Sequence, residues 1–127
     1  MNQAILLFAH GSRDPEWAGP FRRLEGLLRT RLPGRHIELA FLESMPPTFE
    51  EAAARIAGAG KVQVIVAPLF LGQGGHLRED IPNRIALACK RHPGLEFRQL
   101  PPLGDAPGVL EAIAAWIQDS QSPEARS

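Results

Sequence analysis

Two short runs of the chain are apolar almost without interruption, and they constrain the fold more than any other feature. They extend from Gln3 to Ala9 and from Val62 to Leu71, and both are rich in Ile, Leu, Val and Phe. Strands of that composition are covered on both faces, as in the centre of a parallel sheet. Two further runs, Ile37 to Leu42 and Leu95 to Leu100, include charged residues, which is typical of strands nearer an edge. The sequence therefore predicts four strands, with the first and third at the centre.

Apolar residues at helical spacing lie between the predicted strands. Before the second strand they form one stripe, made of Trp17, Phe21, Leu24 and Leu28. Such spacing places the side chains on one face of a helix, which we expect to pack on the sheet. Thr48 followed by Glu51 forms the pattern of a capping box, so a second helix should begin there.

The third and fourth helices carry less regular signals. The third should lie between His76 and His92, and Pro82 should start it late or kink it, because proline has no backbone N–H and clashes with the preceding turn. Asp105 as a cap and Pro107 in the first turn predict the start of the last helix, which we expect to be amphipathic.

Regular alternation of strand and helix determines the fold class that we expect. Right-handed crossovers then give an α/β domain, doubly wound, with a mainly parallel four-stranded sheet of order 2-1-3-4 flanked by helices. A chain of 127 residues that is 44% hydrophobic is long enough for one core. We expect residues 1–119 to form a single domain and the polar residues 120–127 to form a flexible C-terminal tail.

Charge and cysteine content exclude several classes of function. Lys plus Arg and Asp plus Glu are 14 each, so no broad basic face is available for nucleic acid. The single cysteine, Cys89, excludes an internal disulfide framework and a Cys-rich zinc motif, and fits a reducing compartment. The first apolar run is short and has no basic region ahead of it, so we expect neither signal peptide nor membrane span, and a cytoplasmic location.

Two histidines follow the two central strands. His10 ends the run in "LLFAHGSRDP", and His76 follows a glycine-rich turn in "PLFLGQGGHLREDIP". Either one alone is more often a surface residue or a capping partner. Ligands of open α/β sheets bind beyond the carboxyl ends of the strands, where the winding reverses, so both imidazoles should overlook one crevice. The pair predicts either a weak, open metal site or a proton-transfer site.

Carboxylates near these histidines are further candidates. Glu43 follows the second strand at the same edge and would complete a two-histidine, one-carboxylate set suited to divalent iron, cobalt or nickel. A solvated loop glutamate is an equally good interpretation of this residue. Glu79 and Asp80 either cap the third helix or, as hydrogen-bond acceptors, hold the His76 ring, and we favour the capping role for both.

Arginines and glycines near the same edge suggest a large anionic ligand. Arginine forks suit carboxylate groups, and Arg13 and Arg78 are better candidates than Arg22 and Arg23, which are expected on a solvated helix face. Four glycines should let the backbone turn sharply and let something bulky come close, namely Gly11, Gly72, Gly74 and Gly75. Ser12 is outside a G-x-S-x-G elbow, and "LGQGGH" lacks the Walker lysine, so hydrolase and nucleotide-binding functions are poorly supported.

Four blocks of the sequence resemble the sirohydrochlorin chelatase family. They are "LLFAHGSRDP", "ELAFLESMPPTFEEA", "VIVAPLFLGQGGHLREDIP" and "LPPLGDAPGVLEAI". The resemblance extends from about Gln3 to Ile117, and the two histidine blocks in this order are its specific part. It implies a chelatase-like α/β fold and a lyase that inserts cobalt or ferrous iron into sirohydrochlorin without ATP, in cobalamin or siroheme biosynthesis.

The resemblance also implies roles for individual residues. The metal-binding histidines of the family fall on His10 and His76, and the carboxylate of its second strand falls on Glu43. Arg13 and Arg78 would meet peripheral carboxylates of the tetrapyrrole. The substrate-binding set that we expect is Ser12, Arg13, Gly74, Gly75 and Arg78.

Partners and mechanism follow from the same resemblance. Short members of the family resemble one half of the two-domain members and pair as homodimers, so we expect a homodimer. The divalent metal, Co²⁺ or Fe²⁺ with Ni²⁺ as a further candidate, is a substrate, and no organic cofactor is expected. As the metal enters, the macrocycle sheds two pyrrole N–H protons, and a neutral histidine could accept one of them. The alternative is a non-catalytic carrier module for a metal or a tetrapyrrole.

Overall fold

A computed structural model describes residues 2–121 of the chain. Within this part of the chain the strands are β1 (Gln3–Ala9), β2 (His36–Phe41), β3 (Gln63–Pro68) and β4 (Glu96–Gln99). The α-helices are α1 (Gly19–Arg31), α2 (Phe49–Gly58), α3 (Gly75–Arg91) and α4 (Val109–Ser120). Two short 3₁₀ helices precede α1 and α4, at Pro15–Ala18 and Leu103–Asp105.

The four strands form one parallel sheet in the order β2-β1-β3-β4. Ile5 of β1 pairs with Ile37 on one side and with Ile65 on the other. The predicted strand order and parallel pairing are confirmed. The third strand is shorter than predicted, because it ends at Pro68 and leaves Phe70 in the following loop.

Alternate residues of the central strand pack into two separate cores. On one face, Phe8 contacts the ring of Phe49 edge-on at 5.3 Å between centroids, and the ring of Phe70 at 6.0 Å. Apolar residues of α2 and α3 complete this core. On the other face, Ile5 and Leu7 belong to a second core with residues of β2 and α1. Both faces of β1 are therefore covered, which is why its sequence is continuously apolar.

The predicted helical stripe packs on this second core, although it begins in the first 3₁₀ helix rather than in α1. Trp17 lies in the 3₁₀ helix, and its ring is 4.7 Å from the ring of Phe21. Leu24 and Leu28 of α1 pack against the same core. The stripe is confirmed as one partly buried face spanning both helices.

The capping box at the start of α2 is confirmed atom by atom. The Thr48 hydroxyl accepts a hydrogen bond from the Glu51 backbone N–H at 3.1 Å, and the Thr48 backbone N–H donates to Glu51 Oε1 at 2.8 Å. The hydrogen bonds from Thr48 lower the pKa of the Glu51 carboxyl below its usual 4.5, because they favour its ionised form.

The predicted range of α3 is confirmed to within one residue, whereas the predicted cap of α4 is wrong. Helix α3 begins at Gly75 and contains Pro82 in its interior, so this proline does not delay the helix. Asp105 makes no capping bond to α4, because the chain first passes through the second 3₁₀ helix and then turns at Gly108, whose φ is 81°. A left-handed φ is favourable for glycine and strained for most other residues.

The last helix has an apolar face that the described chain leaves exposed. Leu110 and Ile117 are about half exposed, and Trp116 is 67% exposed. Helix α4 ends at Ser120, the first residue of the predicted tail, and residues 122–127 of that tail lie outside the described part of the chain. Among residues 2–121, no helix is long and apolar enough to cross a bilayer.

The capping box gives a test of this local structure. Replacing Thr48 by Ala should lower the free energy of unfolding by about 0.5–2 kcal/mol, because the first turn of α2 loses its side-chain acceptor. The matched control is Thr30→Ala, which removes a hydroxyl bonded to the Gly26 carbonyl on the exposed side of α1 and should stay within about 0.5 kcal/mol of wild type. Urea titrations measure the free energy of unfolding of both variants. An equal loss of stability in the two would contradict the role of Thr48 as the N-cap of α2.

Candidate functional site

Parallel hydrogen bonding between β1 and β2 continues past the ends of both strands. The Leu42 N–H donates to the Ala9 carbonyl at 2.8 Å, and the Glu43 N–H donates to the His10 carbonyl at 3.1 Å. These bonds hold the two loops side by side at the carboxyl edge of the sheet. As a result, His10 Nε2 lies 3.6 Å from Glu43 Oε1.

Gly11 is required by the close approach of these two loops. Its φ is 96°, and a Cβ at this position would overlap the backbone carbonyl oxygen of Glu43. The prediction of a sharp turn is confirmed here. Gly72 lies in a bend, Gly74 is the N-cap of α3 and Gly75 is its first residue, and none of the three has a positive φ. A Cβ on any of these three would meet nothing within 4 Å, so they border open space.

His10 and His76 share one cleft, as the order of the strands requires. The cleft has a volume of about 330 Å³ and lies beyond β1 and β2 at the start of α3. Its lining residues are His10, Leu42, Glu43, His76, Leu77 and Asp80. The side chains of His10 and Glu43 are 55% and 62% exposed, so both are accessible to a ligand from solvent.

The three predicted metal ligands line this cleft without converging on one point. No three His, Cys, Asp or Glu side chains within residues 2–121 are close enough together to hold an ion. His10 and Glu43 approach each other, and His76 faces them from α3.

Asp80 occupies a position that the sequence interpretation missed. Neither it nor Glu79 caps α3, whose N-cap residue is Gly74 with no side-chain bond. Asp80 Oδ2 instead accepts a hydrogen bond from Arg84 Nε at 2.6 Å, and Arg84 Nη1 donates to Glu50 Oε1 of α2 at 2.9 Å. The four-residue spacing of Asp80 and Arg84 on a helix could have revealed the first bond. The sequence contains no local signal for the second.

The charge of Arg84 is stabilised by this pairing. Burial by itself would lower the pKa of the guanidinium, but hydrogen bonds and opposite charges from Asp80 and Glu50 outweigh burial and raise the pKa. Its Cζ also lies 5.9 Å from the centroid of the Phe8 ring, in a cation–π contact. Arg84 thus connects α2, α3 and the central strand.

The predicted substrate-binding residues are distributed over a wider area. Arg78 lies outside the histidine cleft and lines a neighbouring one of about 330 Å³ with Leu71, Gly72, Gln73, Pro102 and Asp105. The Ser12 hydroxyl accepts a hydrogen bond from the Asp14 N–H at 3.0 Å, and Arg13 is exposed in the loop after β1. The structure brings the two histidines and Glu43 together, and it separates Arg78 from them.

One aromatic residue and two aliphatic residues complete the site, and the two aliphatic ones went unrecognised in the sequence. The Phe70 ring lies edge-on to the His10 ring, 5.8 Å between centroids. Leu42 and Leu77 form apolar walls of the cleft. Leu77 directly follows His76 and Leu42 directly precedes Glu43, and that proximity was the available signal.

Comparison with known proteins identifies the family. The CbiX family model matches residues 4–120, nearly the whole chain. The chain belongs to the CbiX family. Sirohydrochlorin ferrochelatase from Bacillus subtilis is 31% identical over 126 residues, which are 97% of this chain and 47% of that protein. Sirohydrochlorin cobaltochelatase from Sulfurisphaera tokodaii is 28% identical over 123 residues, which are 97% of this chain and 98% of that protein.

Solved structures support the same assignment and confirm the expected chelatase fold. A CbiX protein from Marinobacter aquaeolei VT8 superposes with a TM-score of 0.82 at 31% identity, covering 93% of this chain and 96% of that one. SirB from Bacillus subtilis with Fe³⁺ superposes with a TM-score of 0.81 at 28% identity, covering 97% and 49%. This CbiX-family chain therefore spans about half the length of the Bacillus relative and nearly all of the Sulfurisphaera relative.

A glycine substitution tests how the two loops are held. Gly11→Ala should lower the free energy of unfolding by more than about 1 kcal/mol, because the new Cβ meets the Glu43 carbonyl at a left-handed φ. Gly72→Ala, placed in open space, is the control and should change stability by less than about 0.5 kcal/mol. Urea unfolding followed by circular dichroism measures both, and a neutral Gly11→Ala variant would show that the loops do not need this close approach.

Proposed function

We propose that this CbiX-family protein is a sirohydrochlorin chelatase. It inserts a divalent metal, Co²⁺ or Fe²⁺ with Ni²⁺ as a further candidate, into the macrocycle without ATP, in cobalamin or siroheme biosynthesis. The observation that carries the proposal is the exposed cleft at the carboxyl edge of the sheet, where His10 and His76 lie together. The activities named for the relatives from Bacillus and Sulfurisphaera support it.

The metal is a substrate and has to be held loosely. Neutral imidazole nitrogens of His10 and His76 are suitable ligands for these ions. Glu43, beside His10, either completes the ligand set or orients the imidazole. Because the protein supplies only two or three ligands to the ion, the other coordination positions of the metal stay open for water and then for the pyrrole nitrogens. Such a site releases the ion into the macrocycle more readily than a closed site would.

The tetrapyrrole would extend over both neighbouring clefts. Each cleft is about 330 Å³. Gly74 and Gly75, at the start of α3, stand in the chain between Gln73 of one cleft and His76 of the other. Arg78 in the second cleft and Arg13 in the loop after β1 would bind peripheral carboxylates, with Ser12 nearby. We propose no organic cofactor, since metal insertion needs only ligands and proton acceptors.

We also propose that the protein works as a homodimer in the cytoplasm. The Bacillus relative is about twice as long as the part that matches this chain, so a second copy would take the place of its other half. The exposed apolar face of α4, with Trp116 at 67% exposure, is a suitable contact surface. The free thiol of Cys89 fits a reducing compartment, and no nucleic-acid or membrane partner is proposed.

Substitution of the two histidines tests the proposed metal insertion. His10→Ala and His76→Ala should each lower the rate of Co²⁺ insertion by about 100-fold or more, since even residues that only orient metal ligands are worth 10–100-fold. Anaerobic absorbance with excess sirohydrochlorin measures repeated turnover above the uncatalysed rate. His92→Ala, which changes the histidine at the end of α3, is the control and should retain activity. A wild-type chain that binds the pigment but only matches the background rate would favour the carrier function instead.

The proposed dimer can be tested on α4. Light scattering should give about twice the 13.9 kDa chain mass for the wild type, and Trp116→Asp should give the mass of one chain, because a charge replaces the largest apolar side chain of the contact. Leu87→Asp, at another exposed leucine on α3, is the control and should leave the dimer intact. A monomeric wild type would refute the dimer without affecting the test of turnover.

A further inference from the structure

Among the titratable residues that line the histidine cleft, Asp80 has no role in the proposed function. It lies on α3 one turn after His76, and its side chain lines the cleft. Resting on the proposed chelatase function, we propose that Asp80 is a catalytic residue that accepts a pyrrole proton during metal insertion, and that Arg84 is the positioning residue that holds it.

The proton needs an acceptor other than the metal-binding histidines. An imidazole has one basic lone pair, and a bound metal occupies it while the other ring nitrogen carries a hydrogen. If His10 and His76 hold the ion, neither ring is able to take a proton while the metal enters. The expectation that a neutral histidine accepts it therefore conflicts with the proposed role of the histidines as ligands.

The balance of the reaction defines what Asp80 has to do. The macrocycle with two N–H groups and a divalent ion becomes the metal complex and two protons. When one N–H bond breaks, its electron pair stays on nitrogen and forms the bond to the metal, and the proton forms an O–H bond with the Asp80 carboxylate. Asp80 then passes the proton to water, which reaches the open cleft. The second pyrrole proton follows the same route, first to the Asp80 carboxylate and then to water.

The geometry of Asp80 suits this role better than that of Glu43. Arg84 occupies Asp80 Oδ2 at 2.6 Å, and within residues 2–121 no hydrogen bond engages the other carboxylate oxygen, Oδ1. Arg84 thus fixes Oδ2, and Oδ1 is available to accept a proton. Glu43 is 62% exposed and lies beside His10, where it is suited to orient or assist the ligand.

Arg84 fixes Asp80 relative to the rest of the site. Its guanidinium donates to Asp80 on its own helix and to Glu50 on α2, and it lies against the Phe8 ring. A lysine at this position would not reproduce the planar fork that reaches two carboxylates. The charged or titratable groups facing Asp80 are Arg84 with Glu50 behind it and, around the cleft, His10, Glu43 and His76.

The test is Asp80→Asn in the full chain, compared with wild type. The amide keeps an oxygen for Arg84 but has no basic carboxylate. We expect kcat for Co²⁺ insertion to fall by about 10²–10⁴-fold. The KM for sirohydrochlorin, and the Kd for Co²⁺ measured without the pigment, should change by less than about twofold, since only the proton-transfer step is affected. Glu79→Gln removes the exposed charge next to Asp80 outside the cleft and should behave as wild type.

Arg84 variants test the positioning role. Arg84→Met should lower kcat while the Kd for Co²⁺ stays unchanged, and Arg84→Lys should recover part of the rate, because lysine still reaches one carboxylate. A substitution that only weakened the fold would lower Co²⁺ binding together with kcat. Circular dichroism would detect such a loss of folded structure. An equal loss of kcat in the Lys and Met variants would overturn the positioning role.

Three results would overturn the role of Asp80. Asp80→Asn inserting the metal at the wild-type rate would show that its carboxylate is not the acceptor. Loss of Co²⁺ binding in that variant would make Asp80 a metal ligand instead. A wild-type chain without turnover would refute the proposed function and the proton transfer together, whereas the first two results would leave the chelatase proposal intact.

Discussion

Parallel pairing of β1 with β2 beyond the ends of both strands is the constraint on which the rest of the site depends. Two backbone hydrogen bonds, from Leu42 to Ala9 and from Glu43 to His10, prolong the ladder into the loops. Adjacent strands are separated by about 4.8 Å, so the residues that directly follow the two strands have to lie close together. The same closeness excludes any Cβ at position 11. The loop geometry and the proximity of His10 and Glu43 therefore have a single cause.

The core of the protein also positions the chemistry. Phe8 packs against Phe49 and Phe70 inside the first core, and the Arg84 guanidinium lies against its ring. Phe70 in turn lies edge-on to the His10 ring. Buried aromatic rings have few accessible rotamers in a densely packed interior. The imidazole and the guanidinium consequently rest on rigid supports, while their polar atoms remain near solvent at the sheet edge.

Much of this arrangement was predictable from the sequence, and the failures have physical causes. Pro82 suggested either a late start or a kink in α3, and the helix begins at Gly75, well before this proline. A helix advances by about 100° per residue, so this start fixes which side chains share a face. Asp80, four residues after His76, lies on nearly the same face of α3. Arg78, two residues after His76, lies on the opposite face and lines the neighbouring cleft. The predicted range of α3 was right to within one residue, but the rotation of this helix on the sheet decides that Arg78 lines one cleft and Asp80 the other.

The sequence by itself determined the strands, their parallel order, the capping box of α2 and the place of the two histidines at one edge of the sheet. These features follow from hydrophobic periodicity and the handedness of crossovers, which are local or topological properties. Only the tertiary structure decided that Arg84 bridges Asp80 and Glu50 and that the apolar face of α4 stays exposed. Contacts between residues 34 positions apart depend on how helices are rotated and packed, and no local pattern in the chain encodes that rotation.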